Sequence, residues 1–282
     1  FSGQIINRRT HEMILPEPAK ALTILTDDLE QLREDLSEGE QDRITGIGLA
    51  QPFNLGAWLH ELGLPEAHFK DWEDYDLASA LEEETGLPVF SENDGTAAAV
   101  AELFYGVGRQ NDNFLYLFLG PAIGGGLVMN GDVVRGVSGN AGDVAMIPVP
   151  PSKLPTANAP RQEWDLLLAR ASLVALARHM SPENFSNLSR TDLRRAIEAA
   201  DDKAREWTED CVSALAVALR SAFAILDMPL VVLDSDLGND FNTSFAEAMA
   251  SAVADAAPES RTSPQMATGS FGQDAGAVGA AS

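Results

Sequence analysis

The sequence is poor in cysteine and in basic residues, and each shortage excludes a class of protein. It has a single cysteine, Cys211, so neither a disulfide framework nor a cysteine-based zinc site can form within one chain. Nineteen lysine and arginine residues stand against 43 aspartate and glutamate residues, which gives a formal net charge of -24. Such a charge opposes binding to nucleic-acid phosphates and to anionic lipid. The composition fits a reducing, cytoplasmic setting and a chain that does not itself bind DNA.

Long hydrophobic runs are also missing. The longest uncharged apolar stretch, Phe114 to Met129, is interrupted by Pro121 and four glycines. The first residues carry no basic-then-apolar signal pattern. With 282 residues, of which 45% are hydrophobic and 22% charged, the chain is long enough for two lobes of roughly 100 to 150 residues each. We therefore predict a globular protein with no membrane span and no export signal.

Hydrophobic periodicity predicts alternating strands and helices. Pro16 to Leu36 has apolar residues at three-and-four spacing, which is typical of a helix with one buried face. Strands are predicted at Ile44 to Gln51 and Leu87 to Ser91, and helices at Asp76 to Thr85 and Ala97 to Tyr105. This alternation favours an α/β layer over a helical bundle. Further predicted elements are a strand hairpin at Phe1 to Asn7 and helices at Trp164 to Met180, Phe241 to Ala256 and Phe271 to Ala281.

Asp94 lies in the segment Glu92 to Thr96, where a predicted strand gives way to an alanine-rich helix. A carboxylate there faces the cleft beyond the carboxyl edge of the sheet, and we expect the first helical N–H groups to keep it ionised. It can take a proton from a hydroxyl or accept hydrogen bonds from one. Asp and Asn are also preferred helix N-caps whether or not a ligand binds nearby. On this pentapeptide alone, an ordinary cap is the simpler interpretation.

Two glycine-rich loops follow. Gly120 to Gly126 joins two predicted strands, and Asn130-Gly131 is a dipeptide typical of two-residue hairpin turns. Because no helix follows the first loop, a Rossmann fingerprint and a P-loop are excluded. Backbone N–H groups of a glycine hairpin can hold phosphate. Glycines also allow tight packing of a bent strand pair, and the sequence leaves both interpretations open. The second loop, Arg135 to Asp143, carries polar side chains that can reach a hydroxylated ligand.

Together these motifs resemble those of the ROK family of sugar kinases and sugar-responsive repressors. The matching segments run in order along nearly the whole chain: Asn93-Asp94 with the alanine run and Glu102, Gly120 to Gly126, Asn130-Gly131, Gly136, Gly139 to Asp143, and Gly272 to Ala281. The resemblance implies an α/β, actin-like ATPase (ribonuclease H-like) sugar-kinase fold, with two α/β lobes around a central cleft, commonly assembled as homodimers. It implies an amino-terminal lobe over residues 1–112 with an incomplete first strand, and a larger carboxy-terminal lobe over residues 113–272. A final helix at about residues 273–282 is expected to pack back on the first lobe.

The resemblance also implies the ligand site. In the family, the aspartate matching Asp94 takes the proton from the sugar hydroxyl that attacks ATP, and the asparagine matching Asn93 holds neighbouring hydroxyls. The implied ligand contacts are Asn93, Asp94, Gly139, Asn140, Asp143 and Met146, and the implied phosphate-loop remnant is Gly120, Pro121, Gly124 and Gly125.

The chain departs from the family pattern where sugar and phosphate are held. The family's sugar-holding Glu-x-x-His falls on Asp143 to Met146, so the acid is one carbon shorter and a thioether that cannot donate a hydrogen bond replaces the histidine. A further family glutamate falls on Leu168. The phosphate loop, usually Gly-Thr-Gly-Ile-Gly, is here Gly120 to Gly124, and Pro121 removes a hydroxyl and a backbone N–H. The family's cysteine-rich zinc loop is replaced by Pro150 to Pro160, so no structural metal is expected.

These losses set the functional expectation. Each lost buried contact to a sugar hydroxyl costs roughly 1 to 3 kcal/mol, and phosphoryl transfer depends on positioning and charge stabilisation around the phosphates. We therefore expect the effector-binding and dimerisation domain of a ROK-type transcriptional regulator, with a sugar-like ligand, no cofactor, and a DNA-binding helix-turn-helix upstream of Phe1. Two alternatives stay open. One is an ATP-dependent sugar kinase that uses ATP and Mg with Asp94 as catalytic base, and the other is a dimerisation scaffold that binds no ligand.

Overall fold

The computed structural model describes residues 4–12, 16–53, 62, 70–160, 162–255 and 262–282. Its first part contains α1 (Pro18–Glu34), α2 (Glu38–Gln41), β1 (Ile47–Gln51), α3 (Leu77–Thr85), β2 (Val89–Asn93) and α4 (Asp94–Tyr105). The remainder contains β3 (Phe114–Leu119), β4 (Ile123–Met129), β5 (Asp132–Val134), β6 (Pro148–Val149), β7 (Asp165–Leu166), α5 (Leu173–Met180), α6 (Arg190–Glu198), α7 (Asp202–Leu226), β8 (Leu230–Ser235), α8 (Asn239–Asp255), β9 (Gln265–Thr268) and α9 (Ala275–Ala280). The α/β class predicted from the periodicity is confirmed. None of the helices in the described part of the chain has the length and apolar character to span a membrane.

A five-stranded mixed sheet, in the order β5-β4-β3-β8-β9, organises the second part of the chain. β3, β8 and β9 run parallel, and β4 is antiparallel to both β3 and β5. Along β3, Leu115 and Leu117 belong to one apolar core, while Phe114 and Tyr116 belong to another on the opposite face. Successive strand residues point to opposite faces. The sheet is therefore covered on both sides, which explains why β3 and β8 are almost continuously apolar.

β1 and β2 form a separate parallel pair that ends beside the central sheet, with Gln51 opposite Asn93. Asn93 is the N-cap of α4, because its Oδ1 accepts a hydrogen bond of 3.0 Å from the Thr96 N–H. A Cβ on Gly95 would come within 2.2 Å of the Gly125 carbonyl oxygen, so the start of α4 lies directly on β4. This contact brings the end of β2 next to the β3–β4 hairpin.

The last helix, α9, packs against the first part of the chain. A Cβ on Gly279 would lie 1.6 Å from the Ala97 carbonyl oxygen in α4, and a Cβ on Gly48 in β1 would lie 2.0 Å from the Ala280 carbonyl oxygen. Only glycine permits these backbone contacts. The chain thus returns from the five-stranded sheet to α4 and β1, and α9 closes one side of the space between them.

The amino-terminal hairpin prediction is wrong over the residues that the structure describes. Residues 4–12 form neither strand nor helix, and Phe1 to Gly3 lie outside the described residues. Ile5 and Ile6, the apolar pair on which the prediction depended, are exposed. A strand needs a hydrogen-bonded neighbour, and no described strand pairs with this segment.

Two other predictions need correction. The helix predicted over Trp164 to Met180 begins only at Leu173, because residues 165–166 pair with 148–149 as β7 and β6 and Ser172 then caps α5. The turn predicted over Gly120 to Gly126 is shorter, since β4 already begins at Ile123. In both places long-range strand pairing overrides the local pattern.

Candidate functional site

A cavity of about 570 Å³ lies where the β2–α4 junction, the β3–β4 hairpin, the loop after β5 and the start of α9 meet. Its volume is within the range of about 300–1,000 Å³ that holds small-molecule ligands. Of the residues predicted from the sequence, it is lined by Asn93, Asp94, Gly120, Pro121, Gly124, Gly125, Asn140, Asp143 and Met146. Gly139 does not line it and faces open space with a positive φ of 78°. Lining residues that the sequence did not indicate include Phe53, Phe118 and Gln273.

Asp94 is the first residue of α4, directly after the capping residue, and it is half-buried in the cavity wall. Its Oδ1 accepts a hydrogen bond of 2.8 Å from the Gly95 N–H. Burial raises the pKa of Asp94, and hydrogen bonds from the backbone oppose that shift without cancelling it. The direction is opposite to the one expected from the helix terminus, because desolvation outweighs the N–H groups. The carboxylate is consequently a stronger base toward a ligand hydroxyl than a solvated aspartate.

Asn140 and Asp143 form the polar wall contributed by the loop after β5. The Nδ2 of Asn140 donates a hydrogen bond of 2.9 Å to Asp143. Partial desolvation raises the pKa of Asp143, and the bond from Asn140 lowers it by less. Two contacts fix the loop: Arg135 Nε donates to Glu92 Oε2 at 2.6 Å, and the loop backbone lies against β4. A carboxylate and an amide held this way present acceptors and a donor to a hydroxylated ligand.

Gly142 and Gly125 show why the glycines of this region are needed. A Cβ on Gly125 would lie 2.5 Å from the Gly142 carbonyl oxygen, and Gly142 itself has a positive φ of 88°. Gly126 packs as closely on α4, since its Cβ would lie 2.3 Å from the Gly95 carbonyl oxygen. Of the two interpretations of the glycine-rich loop, close packing therefore accounts for Gly125 and Gly126.

The wall next to Asp143 is apolar. Met146 ends the short 3₁₀ turn Val144–Met146 and is 41% exposed, while Leu168 lies in a second 3₁₀ turn and is buried. Both residues line the cavity. Together with Asp143, these are the positions at which the chain departs from the sugar-holding pattern of the family it resembles.

The β3–β4 turn offers few backbone donors to a ligand. The Gly120 N–H donates a hydrogen bond of 3.1 Å to the Ala122 carbonyl oxygen, and Pro121 has no N–H. A Cβ on Gly120 would lie 3.4 Å from Oδ2 of Asp236, so a carboxylate stands beside the turn. Two of the first three residues of the turn are thus unable to donate a backbone hydrogen bond to phosphate.

Asp236 is a buried carboxylate with two arginine partners, a cluster that the sequence analysis missed. Arg190 Nη1 lies 3.0 Å from its carboxylate, and Arg194 Nη2 donates to its carbonyl oxygen at 2.7 Å. Burial raises the pKa of Asp236, and the two arginines oppose the shift. The available signal was the pair of acids, Asp234 and Asp236, directly after the apolar run of β8.

No lysine, arginine or histidine is among the described residues that line the cavity. In the described part of the chain, no group of three or more His, Cys, Asp or Glu side chains is arranged to hold a metal ion. The segment Pro150 to Pro160, which stands where the family has its zinc loop, is held by other contacts. Arg170 Nη1 donates to the Pro150 carbonyl oxygen at 2.8 Å, and Thr156 Oγ1 lies 2.6 Å from His179 Nδ1.

Comparison with known proteins agrees with this geometry. The ROK family model matches residues 3–282. The chain is 36% identical over 133 residues to a glucokinase of Halalkalibacterium halodurans, in a match that covers 46% of this chain and 38% of the glucokinase. It is 28% identical over 131 residues to the xylose repressor of Bacillus subtilis, covering 46% of this chain and 33% of the repressor. These matches therefore span well under half the length of each relative.

A solved structure shows the same fold over almost the whole chain. It is a ROK family glucokinase from Streptomyces griseus in complex with glucose and AMPPNP. The TM-score is 0.72 at 20% sequence identity, and the superposition covers 99% of this chain and 92% of that chain. The architecture of sheets, helices and cavity described above is therefore that of the actin-like ATPase fold.

Proposed function

The chain belongs to the ROK family, and from this premise we propose that it is the effector-binding and dimerisation domain of a ROK-type transcriptional regulator. The family includes relatives of both kinds, glucokinases and a xylose repressor. The effector is a neutral sugar or sugar-like polyol. Asn93 and Asp94 hold its hydroxyls from one wall of the cavity, and Asn140 and Asp143 hold them from another.

The observation that carries this proposal is the shortage of hydrogen-bond donors in the β3–β4 turn. Phosphoryl transfer needs donors and positive charge around the transferring phosphate. Here the Gly120 N–H is already used by the Ala122 carbonyl oxygen, Pro121 has no N–H, and the carboxylate of Asp236 stands next to the turn. A triphosphate at this position would lose backbone hydrogen bonds and lie close to an acidic group. The turn therefore supports ligand binding without nucleotide chemistry.

Charge supports the same assignment. The described lining of the cavity contains the carboxylates of Asp94 and Asp143 and no basic side chain, which favours a neutral ligand over a phosphorylated one. The net charge of -24 makes this chain a poor partner for DNA. On our proposal, DNA is therefore contacted by a part of the protein outside these 282 residues.

Asp94 favours a second candidate function, an ATP-dependent sugar kinase. Its carboxylate lines the cavity, and burial raises its pKa, as a general base for a sugar hydroxyl requires. Gly124 also leaves open space at the cavity wall, where a phosphate oxygen would find no steric barrier. Under this alternative Asp94 is the catalytic base and ATP with Mg²⁺ is the cosubstrate.

One pair of measurements on the full-length protein separates the two functions. Sugar binding is measured by calorimetry without nucleotide, and ADP release is measured with ATP, Mg²⁺ and each sugar that binds. We expect at least one neutral sugar or glycoside to bind and no sugar to stimulate ADP release. The Asp94→Asn variant serves as the control, because asparagine keeps the shape of the side chain and the acceptor for the Gly95 N–H.

Each outcome favours one function. Sugar binding without ADP release supports the regulator. Sugar-stimulated ADP release that is lost in Asp94→Asn would establish the kinase and overturn our proposal. A complete lack of binding by any sugar or glycoside would contradict both and leave the dimerisation scaffold.

A further inference from the structure

The 3₁₀ turn after the polar loop puts an acidic and an apolar side chain side by side. Asp143 precedes the turn and Met146 ends it, with the Met146 N–H donating to the Asp143 carbonyl oxygen at 3.4 Å. Both residues line the cavity. A ligand hydroxyl held by Asp143 therefore has the thioether of Met146 nearby in the same wall.

Leu168 lies in a 3₁₀ turn that contacts the turn of Met146. β6 and β7 pair antiparallel, with Pro148 opposite Leu166, and the Leu167 N–H continues the ladder by donating to the Ile147 carbonyl oxygen at 3.0 Å. Met146 and Leu168 lie in the two 3₁₀ turns next to this ladder, Val144–Met146 and Leu167–Ala169, which contact each other, and both residues line the cavity. The two apolar residues are therefore neighbours from two different segments, and they form one patch next to Asp143. We call Met146 and Leu168 the apolar subsite.

A free sugar is poorly matched to this subsite. Neither side chain can donate a hydrogen bond, and a hydroxyl buried against them without a partner loses its bonds to water. An apolar group in the same place gains affinity of about fourfold for each methylene removed from water. The subsite therefore favours an apolar substituent over a hydroxyl, whereas a hexose pocket favours the hydroxyl.

From this arrangement we infer that the ligand is a polyol that carries an aryl or alkyl substituent, as in an aryl or alkyl glycoside. Asn93, Asp94, Asn140 and Asp143 hold the hydroxyls, and the apolar subsite holds the substituent. Phe53, which is 44% accessible, is a further apolar side chain in the lining of the same cavity. This inference rests on the proposed sugar-like effector and names its chemical class.

The test compares matched ligands on the full-length protein. Calorimetry measures the dissociation constants of glucose, xylose and mannose, each as the free sugar and as its phenyl and octyl glycosides in both anomeric forms. We expect at least one glycoside to bind tenfold or more tightly than its free sugar. In Met146→His combined with Leu168→Glu, which restores polar groups to the subsite, we expect that preference to fall by tenfold or more.

Two further variants keep the test decisive. Met146→Gln changes only the more exposed residue of the pair, and it replaces the double variant if a glutamate at the buried position 168 prevents folding. Val137→Ala removes an equally apolar but fully exposed side chain of the neighbouring loop, outside the described cavity lining, and should leave the preference unchanged.

The outcomes distinguish this inference from the function on which it rests. If free sugars bind as tightly as their glycosides, the apolar class of ligand is wrong and the sugar-effector proposal stands. If a glycoside is preferred but the subsite variants keep the full preference, Met146 and Leu168 are not its cause and the inference fails. If neither sugars nor glycosides bind, the proposed function fails with it.

Discussion

Tyr116 donates a hydrogen bond of 3.2 Å to the carboxylate of Asp234, and both side chains are buried between β3 and β8. Asp234 also accepts from the Gly272 N–H at 3.2 Å and from Asn242 Nδ2 at 3.3 Å. Gly272 begins the turn that leads into α9 and lines the cavity. A single buried carboxylate thus joins the central sheet to the segment that closes the ligand site.

This carboxylate makes stability depend on pH. Burial, and secondarily the charge of Glu102, raise the pKa of Asp234 from 3.8 to about 6. Between these values the folded protein binds more protons than the unfolded chain, so the free energy of unfolding falls as the pH rises through this window. The contribution of Asp234 is fully present below about pH 4 and is lost above about pH 6. Two pKa units correspond to roughly 3 kcal/mol.

We predict that Asp234→Asn removes this pH dependence, because the neutral amide has no charge to bury at any pH. The variant should be more stable than the wild type by roughly 1 to 3 kcal/mol at pH 7.5, and equally stable near pH 4, where the native carboxyl is already neutral. Urea denaturation at several pH values measures the difference. Asp112→Asn, at an exposed loop carboxylate, is the control and should change neither value. A difference between wild type and variant that does not depend on pH would contradict the assigned pKa.

The contact between α4 and β4 predicts a sharp requirement for glycine. In Gly95→Ala the added Cβ would meet the Gly125 carbonyl oxygen at 2.2 Å, and the strand backbone cannot move away without disturbing the sheet. We expect a loss of stability of roughly 1 to 3 kcal/mol and weaker ligand binding, since Asp94 is the adjacent residue.

Gly39→Ala is the matched control for this substitution. Gly39 lies in α2, and a Cβ there would meet no atom within 4 Å. Alanine should therefore be neutral or stabilise by up to about 1 kcal/mol through the unfolded state. Thermal unfolding gives the melting temperatures of Gly95→Ala and Gly39→Ala. Equal values would show that the close contact between α4 and β4 does not require glycine at position 95.

Asp94 itself provides a prediction about affinity. Asp94→Asn keeps the acceptor for the Gly95 N–H, so the cap of α4 and the fold should survive. A charge-assisted bond to a ligand hydroxyl becomes a neutral one, and its loss of roughly 1 to 2 kcal/mol should weaken ligand binding by about fivefold to thirtyfold. Calorimetry on both proteins, with circular dichroism to verify folding, provides the measurement. Unchanged affinity would show that Asp94 does not contact the ligand.

Features carried by local patterns were predictable from the sequence. The break between a strand and an alanine-rich helix located Asn93 and Asp94. The helix cap is nevertheless Asn93, and Asp94, for which a capping role was the simpler interpretation, begins the helix. The apolar run of β3 and the Asn130-Gly131 turn were likewise read from neighbouring residues. Such signals depend on interactions within a few positions of one another, which a sequence displays directly.

Features that depend on distant pairs were not predictable. The sequence identified Met146 and Leu168 separately as departures from the family pattern. Only the contact between their two 3₁₀ turns, which flank the paired strands β6 and β7, brings them together. The ion pair of Arg190 and Asp236 joins residues 46 positions apart, and no periodicity connects them. The direction of the Asp94 pKa shift depends on how deeply the cavity wall is desolvated, which is likewise a tertiary property.

The segment Pro150 to Pro160 leads to a prediction about metal removal. Arg170 forms a buried bidentate pair with Asp210, at 2.9 and 2.7 Å, and also donates to the Pro150 carbonyl oxygen. Because protein groups anchor this segment, excess EDTA should leave the melting temperature unchanged. A clear fall in melting temperature on chelation would contradict this account.

Arg170→Met tests the anchor directly. It leaves the buried carboxylate of Asp210 without its partner, and breaking a buried ion pair in this way costs about 3 to 5 kcal/mol. Arg205→Met removes an exposed arginine that pairs with Asp202 along the same helix that carries Asp210, so it should cost no more than about 1 kcal/mol. Chemical denaturation of both variants measures the contrast. Equal and small losses would mean that the Pro150 segment is held by contacts other than Arg170.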